Sequence, residues 1–201
     1  MPFFSIIFHG CGILLWKGEI MKATGIVRRI DELGRVVIPK EIRKTLRLSS
    51  GDPLEIFTER DELLFKKYSP IKSIDGYAAQ FASGMSEISG HASLVCDTDS
   101  IIAIAGGSRE YVGRAVSGEL ERIMRDRRTV LINASEGGTA IPLIFGDEKS
   151  YTAQVITPVT VDGDVIGACV LYSFSQEVRM RETDVKLARM GADLLSRRFS
   201  E

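Results

Sequence analysis

Cysteine is scarce in this chain: Cys11, Cys96 and Cys169 are three among 201 residues, widely spaced and odd in number. They cannot build a disulfide framework and read as reduced intracellular thiols. Cys96 and Cys169 fall in apolar, strand-like stretches, where buried and inert thiols are the norm. Histidine is scarcer still. His9 and His91 have no partner spacing for a metal centre or a nucleophilic triad, so no metal and no catalytic residues are expected. A long apolar run is missing too. Residues 1–20 are apolar and aromatic and hold the single tryptophan, Trp16, but His9, Gly10 and Gly12 interrupt them. A spanning helix needs about 20 apolar residues, and the basic start and cleavage site of a signal peptide are lacking. Two readings of 1–20 stand: a hydrophobic extension that packs somewhere, or an upstream start codon with translation beginning at Met21.

Net charge is also nearly absent. With 26 Lys+Arg against 27 Asp+Glu the chain carries −1, which taken whole excludes a highly basic binder and an acidic disordered tail. What is present is an ordinary globular composition, 44% apolar and 26% charged, with length for one or two domains. The average conceals its parts. Residues 21–50 carry eight bases against three acids, +5; residues 51–70 carry −2 and residues 71–201 carry −4. A basic segment joined to a mildly acidic body is the asymmetry of a polyanion binder.

Within the basic segment, Thr24 to Ile30 alternates as a half-buried strand should, with Ile26, Arg28 and Ile30 on one face. Asp31-Glu32-Leu33-Gly34 is a turn and Arg35 to Ile38 the return strand. Pro39 suits the start of a short helix reaching Leu46. Two further strands, Leu54–Thr58 and Leu63–Tyr68, follow the turn Gly51-Asp52-Pro53. Fifty residues are too few to bury a stable core alone, so two copies with interleaved strands are expected. Such a dimer brings about +10 to one DNA-facing unit and favours symmetric half-sites.

MKATGIVRRIDELGRVVIPKEIRKTLRLSSGDPLEIF resembles the N-terminal domain of AbrB-family transcription factors. The resemblance covers residues 21–70. It implies a swapped-hairpin β-barrel dimer that grips double-stranded DNA with basic residues of the first hairpin and the short helix. Position by position it implicates Arg28, Arg35, Arg43 and Lys44, with Arg29, Lys40 and Arg47 beside them. Lysine and arginine there neutralise phosphates and release counterions, and arginine can read a guanine edge with two hydrogen bonds.

The body, 71–201, begins and ends with apolar seams at helical spacing. Ile71, Ile74, Ala78, Phe81, Met85 and Ile88 form the first; Val185, Ala188, Ala192, Leu195 and Phe199 form the second. Each seam either packs on its own sheet or joins a helical bundle within or between subunits. Between them the pattern predicts strands at Ala92–Asp97, Ile101–Ala105, Thr129–Asn133, Thr152–Val161 and Val165–Tyr172. A helix is expected from Ser108 to about Arg125, and Asp162-Gly163-Asp164 marks a hairpin. The run Ala105-Gly106-Gly107-Ser108-Arg109 is either a structural turn and cap or an anion-binding helix start.

The whole is therefore expected to be α+β. That element order, with TPVTVDGDVIGACVLYS before a terminal helix, resembles a GAF domain, a fold that often holds a small effector. No cofactor is expected, although an effector of unknown identity is compatible with the fold. An AbrB-like head on a GAF-like body resembles a family of sporulation regulators. That resemblance implies a cytoplasmic, nucleoid-associated homotetramer acting in the forespore, DNA-binding heads pairing through one interface and GAF-like bodies through another. It also implies both activating and repressing roles. No membrane partner is expected. Two alternatives are an antitoxin-like interaction protein and a GAF-type methionine sulfoxide reductase. A folded body in place of a short disordered tail disfavours the first, and the cysteine arrangement disfavours the second.

Overall fold

The computed structural model describes residues 13–16, 19–22, 24–60 and 62–199. The readings of His9 and Cys11 lie outside the described residues. By their internal contacts the residues divide into two compact units, Met1–Asp52 and Pro53–Glu201.

In the first unit, strands β1 (Ile13–Trp16) and β2 (Glu19–Lys22) form an antiparallel hairpin, with Ile13 opposite Lys22 and Trp16 opposite Glu19. The expected strands over 24–30 and 35–38 are not formed in the single chain. Only the turn between them closes: the Asp31 amide donates to the Arg35 carbonyl (3.0 Å) and the Gly34 amide to the Asp31 carbonyl (2.9 Å). Gly34 adopts the left-handed φ of 76° that such a turn requires. Alternating side chains keep the flanking backbone extended, but a ladder also needs a neighbouring strand in register. Helix α1 (Lys40–Thr45) follows, with Pro39 at its N-cap rather than inside it.

The second unit opens with a hairpin of β3 (Leu54–Glu59) and β4 (Glu62–Lys67), in register from Leu54 opposite Lys67 to Glu59 opposite Glu62. Ser69 then caps α2 (Pro70–Ser73), its Oγ accepting from the Lys72 amide at 3.3 Å. Helix α3 (Asp75–Ser89) leads into an antiparallel sheet of β5 (Ala92–Asp97), β6 (Ile101–Ala105), β7 (Val130–Asn133), β8 (Ala153–Val161) and β9 (Asp164–Ser173). Its strand order is β6-β5-β9-β8-β7, and β9 at the centre is buried almost throughout. Asp162 and Gly163, at φ 50° and 86°, make the two-residue turn between β8 and β9 that matches strand twist.

The helix expected from Ser108 to Arg125 is broken. One 3-10 turn covers Arg109–Tyr111, and α4 (Gly118–Arg125) starts only after Ser117, whose Oγ accepts from the Leu120 amide at 3.0 Å. The intervening backbone instead pairs with the edge of the sheet: the Gly113 amide donates to the Ile101 carbonyl (2.8 Å) and the Ile101 amide to the Arg114 carbonyl (3.0 Å). Helix α5 (Glu182–Arg197) ends the chain's regular structure.

Two cores result, one on each face of the sheet. On one face α2, α3 and α5 bury Ile71, Ala78, Met85, Val185, Ala188 and Leu195 against Val95, Val155 and Cys169. Both apolar seams thus pack on their own domain's sheet; Ile88 alone of the fully named positions turns outward, at 70% exposed. On the other face α4 and the loop after β7 cover Leu94, Ile156, Val170 and three tyrosines.

Candidate nucleic-acid interface

Arg28, Arg29, Arg35, Lys40, Arg43, Lys44 and Arg47 all have exposed side chains and lie on the extended segments, the turn and α1 of the first unit. Local structure orders several of them. Arg28 Nη1 donates to the Val27 carbonyl at 3.1 Å and Arg43 Nη1 to the Ile38 carbonyl at 2.8 Å. Arg35 Nε donates to Asp31 Oδ2 at 2.8 Å, an ion pair across the turn. Lys40, Arg43 and Lys44 share the short helix, and Arg47 terminates it. The Arg47 amide donates to the Lys44 carbonyl (3.3 Å) and the Leu48 amide to the Arg43 carbonyl (2.7 Å). This closure puts Arg47 in the left-handed region at φ 51°, a position usually left to glycine.

The same segment exposes apolar side chains: Val27 is 83% exposed, Leu33 74% and Val37 68%. The β3–β4 hairpin shows the same property, with Ile56, Leu63 and Phe65 exposed. Basic side chains and an uncovered apolar surface therefore coexist on about fifteen consecutive residues, 24–38.

The core on the α4 face of the sheet includes three tyrosines. Tyr111, Tyr151 and Tyr172 are buried, with Tyr151 edge-on to Tyr172 at 5.4 Å between ring centres. Two of the hydroxyls meet Asp147: Tyr111 Oη donates to its Oδ1 at 3.2 Å, and Tyr151 Oη donates to its Oδ2. Burial pushes the Tyr172 phenol up to about 12 and raises Tyr151 as well. The loop over this layer is pinned by Gln154, whose side chain accepts from the Ile141 amide (2.9 Å) and donates to the Ile141 carbonyl (2.8 Å). The glycine run at 105–109 is a structural turn: a Cβ on Gly107 would sit 2.0 Å from the Tyr172 hydroxyl. Its backbone starts one 3-10 turn instead of an anion-binding helix.

Both thiols that are described, Cys96 and Cys169, are buried and free. Burial pushes the Cys169 thiol up to about 12, the opposite of an activated nucleophile. Among the described residues no group of three or more His, Cys, Asp or Glu side chains is placed to hold a metal ion.

Sequence reasoning missed two acidic groups that organise these regions. Asp31 holds Arg35, and Asp97 ties the start of α2 to the body's sheet. The Asp97 side chain accepts from Ser69 Oγ (2.8 Å) and from the amides of Asp99 (2.8 Å) and Ser100 (2.6 Å). The first had a sequence signal, an acid four residues before an arginine across a Gly-containing turn. The second had none, because its partner is 28 residues away.

Comparison with known proteins covers nearly the whole chain. Residues 73–200 match the family model described as stage V sporulation protein T C-terminal, transcription factor. Residues 27–73 match the model described as antidote-toxin recognition MazE, bacterial antitoxin. The chain is 43% identical over 183 residues to the stage V sporulation protein T of Bacillus subtilis (strain 168), spanning 90% of this chain and 100% of that protein. It is 56% identical over 50 residues to the transition state regulatory protein AbrB of the same organism, 25% of this chain and 52% of that one. Among solved structures, the second GAF domain of DevS from Mycobacterium smegmatis superposes with a TM-score of 0.51 at 15% identity, over 62% of this chain and 91% of that one. The body therefore has the GAF fold.

Proposed function

The chain belongs to the stage V sporulation protein T family of transcription factors, and from that premise we propose that it is a homo-oligomeric, sequence-specific DNA-binding regulator of sporulation genes. The observation that carries this reading is the coincidence of exposed basic and exposed apolar side chains on residues 24–38. Val27, Leu33 and Val37 need cover, and the extended backbone around them needs strand partners. A second copy with the same hairpin supplies both, and intertwining two copies as swapped hairpins leaves the arginines on the outside. Arg28, Arg35, Arg43 and Lys44 then grip the duplex, with Arg29, Lys40 and Arg47 beside them.

The bodies pair through a second surface. On the outward side of α3 and α5, Tyr77, Ile88, Met190 and Leu194 are exposed. These two helices run side by side, with Arg198 Nη2 donating to the Tyr77 hydroxyl at 2.6 Å. An apolar helix pair of this kind buries itself against its own copy, and head pairing combined with body pairing makes a tetramer. The proposed place of action is the cytoplasm, on the nucleoid of the forespore, a reading that the family membership supports; no helix among the described residues is long and apolar enough to cross a membrane. The reading assigns no chemical reaction to the chain.

The test is a DNA-binding titration against salt. Arg35→Ala is expected to weaken binding by about 1–3 kcal/mol while the oligomer survives. Unchanged binding across the salt series refutes the assignment. The match of 27–73 to an antitoxin model favours a second reading, in which the head also meets a toxin. Copurification of a small toxin from native cells distinguishes it.

A further inference from the structure

The turn at Asp31–Arg35 is held by more hydrogen bonds than its fold requires, and they converge on one carboxylate. Asp31 Oδ1 accepts from the amides of Leu33 (3.0 Å) and Arg35 (2.8 Å), which closes the turn. Its Oδ2 accepts from Arg35 Nε at 2.8 Å, which does nothing for the backbone. The Arg35 amide and guanidinium together hold the Asp31 carboxyl below its ordinary value, so the acceptor stays ionised at neutral pH. Both side chains remain accessible, Arg35 at 70% and Asp31 at 41%. A carboxylate beside an arginine is unhelpful to a residue meant only to attract phosphate, since it cancels the charge and repels the backbone of DNA.

We propose that Asp31 is a positioning residue for DNA recognition, fixing Arg35 so that its guanidinium reads a guanine edge rather than a phosphate. Engaging Nε leaves the two Nη atoms as a preformed pair of parallel donors. That is the geometry that matches O6 and N7 of guanine in the major groove. The neighbouring Asp31 charge lowers the attraction of Arg35 for any phosphate it passes, so the pair trades general affinity for discrimination. Arg28 and Arg43 are tethered through Nη1 to backbone carbonyls instead, with no carboxylate bonded to them in the same way. The inference rests on the reading of Arg35 as a DNA contact given above.

Asp31→Asn separates the two roles of the carboxylate. Its side-chain oxygen still accepts from the Leu33 and Arg35 amides, while the amide nitrogen that replaces Oδ2 cannot accept from Arg35 Nε. The experiment selects bound sequences from a random duplex pool with the full chain, for the wild type, D31N, R35A and the D31N/R35A double variant, alongside thermal melts and salt titrations. D31N is expected to melt with the wild type and to bind random DNA at least as well, with a steeper salt slope. Its preference for guanine at one position per half-site is expected to fall by about fivefold to a hundredfold, the discrimination of one bidentate pair. The double variant is expected to select no more poorly than R35A alone. A folded D31N with wild-type guanine preference overturns the proposal. If R35A itself leaves both selectivity and salt slope unchanged, the DNA-contact reading fails and the inference falls with it. Should D31N melt early, D31E takes its place: it keeps a carboxylate beside Nε and recovers part of the preference, and a folded D31E lacking any preference overturns the proposal too.

Discussion

Replacing Asp97 with alanine is expected to lower the stability of the C-terminal unit by about 2–4 kcal/mol, the cost of removing one buried carboxylate from several neutral donors that lose their hydrogen bonds to it. Asp97 is 2% exposed at the end of β5. Its Oδ1 takes the Asp99 and Ser100 amides and its Oδ2 takes the Ser69 hydroxyl, at 2.8, 2.6 and 2.8 Å. The Ser100 hydroxyl also donates to Oδ1, at 3.3 Å. Alanine removes the acceptor from all four donors and leaves two amides of a tight turn without a side-chain partner. It also releases Ser69, the cap of α2, from the sheet. Next to this group, Lys67 pairs with Asp99 at 2.9 Å, so the turn's position also sets an ion pair to the end of β4. Asparagine is the discriminating control. Its oxygen still accepts from both amides and its nitrogen donates to the Ser69 oxygen, so Asp97→Asn should cost about 1 kcal/mol, near the value of one ordinary hydrogen bond. The assay is urea denaturation with alkylation of Cys96 and Cys169 read peptide by peptide, because both thiols lie inside the body's sheet and report that unit alone. A loss below about 1 kcal/mol for alanine, or equal losses for alanine and asparagine, refutes the reasoning.

Gly167→Ala should destabilise the body by about 3 kcal/mol or more, because an added Cβ would meet the Cys96 carbonyl oxygen at 2.0 Å and the Asp97 Cα at 3.0 Å, both backbone atoms of the paired strand β5; a melting temperature within two or three degrees of the wild type counts against it. Stability should also fall in alkali. Cys169 is pushed up to about 12 by burial, and Cys96 is raised by burial and by the adjacent Asp97 charge. The unfolded chain loses thiol protons from about pH 8.5 while the folded chain keeps them. The stabilising contribution is thus complete below that pH and declines as pH rises towards the folded values, by about 1.4 kcal/mol per pH unit for each thiol. A urea midpoint that stays flat between pH 8 and 10.5 would show that these thiols are not held neutral.

The body was largely legible because its signals are local. Val161-Asp162-Gly163-Asp164 dictates a two-residue turn, and the strands on either side follow from alternation and β-branched residues. The apolar spacing of 185, 188, 192 and 195 likewise suffices to place one face of α5 on the sheet. What escaped was decided at a distance. Ser108 and Ser117 are equally good caps by type, and only the pairing of Gly113 and Arg114 with Ile101 takes the chain between them out of the helix. Asp97 stands in the polar sequence Asp-Thr-Asp-Ser, which reads as an exposed turn, yet Ser69 from another element covers it.

The head poses the reverse problem. Its pattern was legible, and a single chain cannot satisfy it. Ile26, Arg28 and Ile30 share one face of an extended segment as strand residues do, yet its backbone joins no ladder and Ile26, Val27 and Ile30 stay exposed. A sequence pattern reports the surface a residue must face, not which molecule supplies it; under the proposed function the supplier is a second copy. The charge follows the same logic. A whole-chain balance of −1 says nothing about a segment of +5 until that segment is doubled by symmetry and freed of its body. Asp31 then becomes the informative acid. A segment selected only for attraction to DNA would have no reason to set a carboxylate 2.8 Å from one of its exposed arginines.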